Sequence, residues 1–265
     1  MGGEASYAFK RSRADRLSLI ANVTLMAQTV RAIKRIHDEV GPRLVNLTAP
    51  PDARARWIGD AFGSGNRILD IGCAYGHVSY YLKTLGNEVV GIDIAPSLVE
   101  VIRTRGIVAY EVDIENEDAP EGLGLFDLVL CMETLEHLHD PVVVLKEKVR
   151  PFVKPDGHLV VTVPNGAYLK DRLTLLAGNA PTFGSGVNLL PDRPYNLDHK
   201  TILTVAGLRK SLTMAGFEVE RLFPSPGHVP GLVSRLRLAP VWRGLERARP
   251  SLFGRGIMCT ARRRD

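Results

Sequence analysis

Two stretches carry residue types that can do chemistry, Asp70-Ile-Gly-Cys-Ala-Tyr-Gly76 and Glu133-Thr-Leu-Glu136-His137. In the first, Gly72 and Gly76 follow an apolar run. Without a Cβ, glycine lets the backbone approach a ligand closely. Asp93 stands at the end of a second apolar run, where a carboxylate can accept both hydroxyls of a ribose. Asp113 follows a third run and can accept an adenine amino group, with Ile114 packing on the ring. The loop departs from the dinucleotide fingerprint. Counted from Gly72, G-x-G-x-x-G asks for glycine at 74 and 77, and the sequence has Ala74 and His77. A pyrophosphate cofactor is therefore disfavoured. The plain alternative is that Gly72 and Gly76 only make a tight turn, but several coordinated strand ends weigh against it. In the second stretch, helical spacing would place Glu133 and Glu136, and Glu133 and His137, on one face. Two carboxylates and an imidazole together make a hard-ligand set for a divalent ion.

The elements that must position these residues alternate in type. Arg67–Ile71, Glu88–Asp93, Val108–Val112, Phe126–Cys131 and His158–Val163 read as strands. His77–Leu85, Ser97–Arg105 and Pro141–Val149 read as helices between them. Short apolar runs separated by helices imply a parallel sheet covered on both faces. In such a sheet, ligands bind beyond the carboxyl ends of the strands. Upstream, 13–40 carries apolar residues at spacings of three and four, an amphipathic helix ended by Gly41-Pro42. A shorter helix covers Ala53–Phe62. Residues 166–200 are rich in Gly, Pro and Asn, with Tyr168, Phe183 and Tyr195 among them, and read as an insertion over the site. Thr204 caps a helix that Gly216 stops. Phe217–Phe223 and Gly256–Arg262 read as the last strands.

These features resemble the class I S-adenosylmethionine-dependent methyltransferases over roughly residues 64–223. The family's Asp-x-Gly-x-Gly-x-Gly loop maps onto Asp70, Gly72, Ala74 and Gly76, with alanine as the middle residue. Its second-strand acid maps onto Asp93 and its adenine-side acid onto Asp113. A closer likeness is to the subgroup with Glu-x-x-Glu-His, here Glu133, Glu136 and His137. The later His…Thr-x-x-x-Leu…Ala-Gly-Phe pattern is here His199, Thr204, Leu208 and Ala215-Gly216-Phe217. That subgroup includes ubiquinone-pathway O-methyltransferases and MetW-like proteins.

The resemblance implies an α/β, Rossmann-like doubly wound sheet, mostly parallel with an antiparallel last strand, plus N-terminal helices and an inserted cap. Residues 1–63 would form the helical cap and 64–265 the methyltransferase domain, with 166–205 as the substrate-side insertion and 231–265 as a basic C-terminal segment. It implies S-adenosylmethionine held by Asp70, Gly72, Cys73, Ala74, Tyr75, Gly76, Asp93, Ile94, Asp113, Ile114 and Met132. Methyl transfer to a hydroxyl also needs the acceptor proton removed, by a base or by a metal that lowers its pKa. Three readings stand open. Glu133, Glu136, His137 and His199 all bind Mg²⁺ or Mn²⁺, as the resemblance implies for two related groups. Or His137 or His199 acts as a base without metal, with Glu133 beside it. Or the carboxylates cap or line a helix and the histidines are satisfied polar groups.

Charge narrows the partners. The chain of 265 residues carries a net +5, and its 231–265 segment holds nine arginines against Glu246 and Asp265. The rest is slightly acidic, which disfavours nucleic acid as a partner and with it an RNA 2′-O-methyltransferase. The expected acceptor is a small molecule or a glycan- or lipid-linked intermediate. A non-catalytic partner subunit is the alternative of a different class. The tail could contact an anionic membrane surface with Leu232, Leu236, Leu238, Trp242 and Leu245 towards lipid, although Pro240 and Pro250 spoil a long amphipathic helix. A basic solvated face is the competing reading. The three separated cysteines argue against a zinc or disulfide framework and for a reducing, cytoplasmic setting, membrane-peripheral if the tail binds lipid. No run approaches the length of a membrane span. Lys10, Arg11 and Arg13 break up any secretory signal, and Met1-Gly2 with Ser6 fits a short myristoylation pattern. The sequence leaves the oligomeric state open.

Overall fold

The computed structural model describes residues 51–181, 199–227 and 229–264. The helix expected over 13–40 and the aromatics Phe183 and Tyr195 lie outside the described residues. The described elements run α1 (Ala53–Phe62), β1 (Arg67–Ile71), α2 (His77–Thr84), β2 (Glu88–Asp93), α3 (Pro96–Thr104), β3 (Val108–Glu111) and β4 (Phe126–Met132). Then come a 3₁₀ turn (Leu135–His137), α4 (Pro141–Val144), β5 (Val153–Pro164), α5 (Leu169–Leu176), α6 (Val205–Met214) and β6 (Phe217–Pro224). Three short helices, α7 (Gly231–Arg235), α8 (Ala239–Ala248) and α9 (Pro250–Phe253), precede β7 (Gly256–Arg263).

The sheet order is β3-β2-β1-β4-β5-β7-β6. β7 pairs antiparallel with both β5 and β6, and the other pairings are parallel. The chain lays β1, β2 and β3 outwards in one direction, then crosses back to place β4 on the other side of β1. The crevice at that reversal, beyond the carboxyl ends of β1 and β4, is where an open sheet binds ligands.

Strand periodicity explains the two cores. Successive side chains point to opposite faces. Leu69, Ile71, Val129, Cys131 and Val161 are buried in one cluster with Leu208 and Phe217. Ile68, Leu128, Leu130 and Val160 are buried in the other with Ile58, Leu82 and Ile102. Apolar residues at every position are thus what a sheet sandwiched between helices requires. Through Ile58, α1 packs into the same core as the sheet.

Some local expectations change. β5 starts at Val153 rather than His158. The helix after Pro141 loosens into a π turn at Leu145–Val149. β3 ends at Glu111, so Asp113 heads a turn beyond the strand. The expected irregular insertion contains a helix, α5. The prolines of the tail start helices rather than break one, since Pro240 and Pro250 occupy first-turn positions of α8 and α9. Proline's fixed φ and missing N–H suit that position.

Candidate functional site

A cavity of about 340 Å³ opens at the switch point. Asp70, Gly72, Cys73, Ala74, Tyr75, Asp93, Ile94, Asp113, Ile114, Met132, Glu133 and His137 all line it. Gly76 lies just behind, capping α2 in a left-handed conformation.

The loop after β1 is held by its neighbours' backbone. The N–H groups of Gly72 and Cys73 donate to the Ile92 carbonyl at 2.8 and 3.1 Å. Asp93 receives the Ala74 N–H at 2.7 Å on one carboxylate oxygen and the Ala95 N–H at 2.9 Å on the other. Asp93 is therefore a brace between the two strand ends as well as a wall of the cavity. Gly72 has φ +75°, and a Cβ there would collide with the Thr134 hydroxyl. That hydroxyl donates to the Ile71 carbonyl at 3.0 Å. Ala74 itself sits at φ +46°, a region costing a non-glycine residue about 1–2 kcal/mol.

Asp70 is buried under this loop and accepts a 2.5 Å hydrogen bond from Ser79. Burial pushes its carboxyl up to about 6; the Ser79 bond opposes this and the neighbouring Asp93 adds to it. Asp113 organises its own turn: its carboxylate accepts from the Glu115 N–H at 3.2 Å and the Asn116 amide at 2.8 Å.

The opposite wall is built differently. Residues 133–137 are not a helix. Glu133 has φ +53°, and only Leu135–His137 turn, as a 3₁₀ segment. The shared helical face of Glu133 with Glu136 and His137 is therefore lost. Glu133 instead meets Arg54, Nη1 to Oε1 at 3.4 Å. Arg54 also holds Asp52 at 2.8 Å, and Asp52 caps α1 through the Ala55 N–H. Burial alone would raise the Asp52 carboxyl, but Arg54 and the Ala55 amide outweigh it and hold it low.

Glu136, His137 and His199 do come together. Their potential ligand atoms all lie within 4.8 Å of one another. The two imidazole rings are 5.1 Å apart, edge to face. Backbone bonds produce this approach: the Glu136 carbonyl accepts from the N–H groups of Lys200 at 2.8 Å and Thr201 at 3.0 Å. The Thr201 hydroxyl adds a bond to the Leu138 carbonyl at 2.7 Å. Lys200 also approaches Glu115 at 3.8 Å, and Glu115 is bonded to His139 at 2.9 Å.

Sequence reasoning missed Asp52, Arg54, Thr134, Glu115 and Lys200. Asp52 carried a legible signal as a capping residue after Pro50-Pro51. Thr134 and Lys200 sat beside residues that were noticed. Arg54 and Glu115 had no local signal. Trp242, which the membrane reading of the tail would turn towards lipid, packs edge to face on Phe253 at 5.5 Å.

A family model described as Methyltransferase domain matches residues 43–222. A ubiquinone biosynthesis O-methyltransferase of Xanthomonas oryzae pv. oryzae is 40% identical over 107 residues, 38% of this chain and 44% of the relative. One from Xanthomonas axonopodis pv. citri is 38% identical over 162 residues, 59% of this chain and 64% of the relative. The chain thus spans less than two thirds of these curated relatives. Among solved structures, the 1,6-didemethyltoxoflavin-N1-methyltransferase of Burkholderia thailandensis aligns with TM-score 0.58 at 15% identity, over 91% of this chain and 90% of that one. An S-adenosylmethionine dependent methyltransferase from Mesorhizobium loti aligns with TM-score 0.54 at 20% identity, over 76% and 92%. These two likenesses are of fold.

Proposed function

The chain belongs to the Methyltransferase domain family, and from that premise we propose that it transfers the methyl group of S-adenosylmethionine to an oxygen of a small-molecule acceptor. The observation that carries this is the cavity itself, with the Gly72–Gly76 loop, Asp93 and Asp113 on one wall and His137 on the other. S-adenosylmethionine supplies an electrophilic methyl on a sulfonium. Asp93 lines the cavity at the end of β2, where its carboxylate can accept the ribose hydroxyls. Ile94 and Ile114 give apolar surface for the adenine. The displacement consumes charge, so the protein contributes chiefly by fixing the acceptor oxygen near the methyl. The name of the curated relatives supports oxygen as the acceptor atom.

Glu136, His137 and His199 fit a divalent ion by donor type, one carboxylate and two imidazoles. That set suits Mn²⁺ better than Mg²⁺, which prefers oxygen ligands. Such an ion would lower the pKa of an acceptor hydroxyl. In this reading Glu133 is a partner of Arg54 rather than a fourth ligand. The rival is a metal-free base, favoured by His137 being the member of the trio that lines the cavity.

Calorimetry with S-adenosylmethionine and S-adenosylhomocysteine tests the donor; absence of binding by both would remove the proposal. Methyl transfer to a panel of phenols and catechols tests the acceptor atom. Turnover that survives EDTA and does not respond to Mn²⁺ would assign the proton to an imidazole instead.

A further inference from the structure

Helices α5 and α8 present their apolar residues outwards. α5 buries Asp171, while Leu173, Leu175 and Leu176 are 56%, 54% and 88% exposed. In α8 the buried residue is Glu246, while Val241 and Leu245 are 61% and 40% exposed. Leu236 and Leu238, just before α8, are 60% and 47% exposed. A helix on a water-facing surface has the opposite arrangement, with its apolar stripe on the core.

The two inverted helices are tied to the same part of the fold. Burial pushes the hydroxyl of Tyr168, just before α5, upwards; Arg255 opposes this, while Glu246 from α8 and Asp171 from α5 add to it. The Asn165 amide ties the end of β5 to the α9 turn, donating to the Gly254 carbonyl at 2.8 Å and the Ser251 carbonyl at 3.2 Å. The charge around the patch has one sign. Arg235, Arg237, Arg243, Arg247 and Arg249 are exposed along α7–α9, and Lys170 and Arg172 are exposed on α5. The acids of these helices, Asp171 and Glu246, face inwards.

We propose that α5 and α7–α9 form a docking face for an anionic lipid bilayer. Leucines and a valine rimmed by cations are the composition that seats a helix in a headgroup layer, where apolar burial and attraction to anionic lipid add. The placement gives the docking a purpose. Residues 229–254 lie between two segments, Ser225–Gly227 and Arg255–Gly256, that line a second cavity of about 510 Å³. This cavity shares Asp52, Arg54 and Glu133 with the cofactor cavity. Docking through α7–α9 would bring a bilayer to the segment whose two ends line that second cavity. Resting on the methyltransferase reading above, this narrows the acceptor class to a hydroxyl carried on a lipid-embedded molecule.

The test is flotation of the full chain with vesicles of phosphatidylcholine alone and of phosphatidylcholine with phosphatidylglycerol. Co-flotation is expected with the anionic vesicles only, and is expected to fade as salt rises. Two variant sets divide the face: Leu176→Ser with Val241→Ser and Leu245→Ser, and Arg243→Gln with Arg247→Gln. Each set should weaken the partition at least tenfold while melting temperature and S-adenosylhomocysteine affinity stay unchanged. No partition into anionic vesicles, or partition indifferent to either set, overturns the proposal. So does a concentration-dependent dimer in light scattering that the serine set dissociates, because the face would then be covered by a second copy. The two readings fail separately: loss of donor binding with intact flotation removes the enzyme reading and leaves the docking face.

Discussion

On the β1–β3 side of the cavity, the polar groups are fixed by strand ends lying next to one another in the sheet. On the β4 side, they are assembled from segments far apart in the chain: Glu133 meets Arg54 from α1, and Glu136 and His137 meet His199. The first wall is made of backbone, with Gly72 N–H, Cys73 N–H and Ala74 N–H held by Ile92 and Asp93. The second is made of side chains positioned by a few hydrogen bonds from Lys200 and Thr201 to the Glu136 and Leu138 carbonyls. A backbone wall is sensitive to a single added methyl group. A side-chain wall tolerates that change but is sensitive to lost functional groups.

The contrast predicts a ranking of effects. Replacing His199 or Glu136 with Ala or Gln, respectively, should reduce kcat by about 10²–10⁴-fold, the usual contribution of a proton-transfer group or metal. Donor affinity should change little, since neither residue lines the cavity proposed for the donor. A parallel loss of S-adenosylhomocysteine binding in calorimetry would erase the distinction between the walls.

Gly72→Ala should act on the other wall. The new Cβ meets the Thr134 hydroxyl at a left-handed φ, so we expect a stability loss of about 1–3 kcal/mol in urea titration together with weakened donor binding. Thr134→Ala in the same chain should recover part of the binding, because it removes the colliding atom. No recovery would mean that φ alone accounts for the loss.

Asp70 gives a pH-dependent effect of about 3 kcal/mol. Burial raises its folded carboxyl to about 6, above the ordinary aspartate range; the Ser79 bond opposes this and Asp93 adds to it. The folded state therefore holds this proton more tightly than the unfolded chain. Its contribution is intact below about pH 4 and is lost as pH rises through about 6. Asp70→Asn should accordingly gain stability over the parent between pH 4 and pH 7 in donor-free protein. A difference between the two that stays flat over this range would show that Asp70 ionises without cost.

The smallest effect belongs to Ala74→Gly. It relieves the φ of +46°, and the added chain entropy of glycine offsets part of the gain. A net stabilisation of about 0.5 kcal/mol in thermal unfolding is expected. A destabilised variant would mean that the alanine methyl packs favourably enough to outweigh its strained backbone.

The β1–β3 wall was legible because its information is local. A glycine that needs positive φ, an acid at a strand end and an apolar run before each are all read within a few residues. Gly72, Asp93 and Ile114 line the cavity where that reading placed them. The same locality made α1, β2 and the Thr204 cap of α6 readable to the residue, with Thr204 accepting the Gly207 N–H at 3.1 Å. The β4 wall resisted for the opposite reason. Spacing suggested a helix at 133–137, but Glu133 leaves β4 with φ +53° and bonds its N–H to Thr162 on β5. Strand pairing overrode the helical period, and Glu133 turned to Arg54.

By itself the sequence determined the alternation of strands and helices, the glycine loop and the acids that follow it, because apolar periodicity and backbone conformation act over a few residues. Only the tertiary structure decided which histidine meets which carboxylate, that Glu133 belongs with Arg54, and that α5 and α8 turn their leucines outwards. Those outcomes depend on which distant segments the sheet order brings side by side, and no residue's neighbours in sequence carry that information.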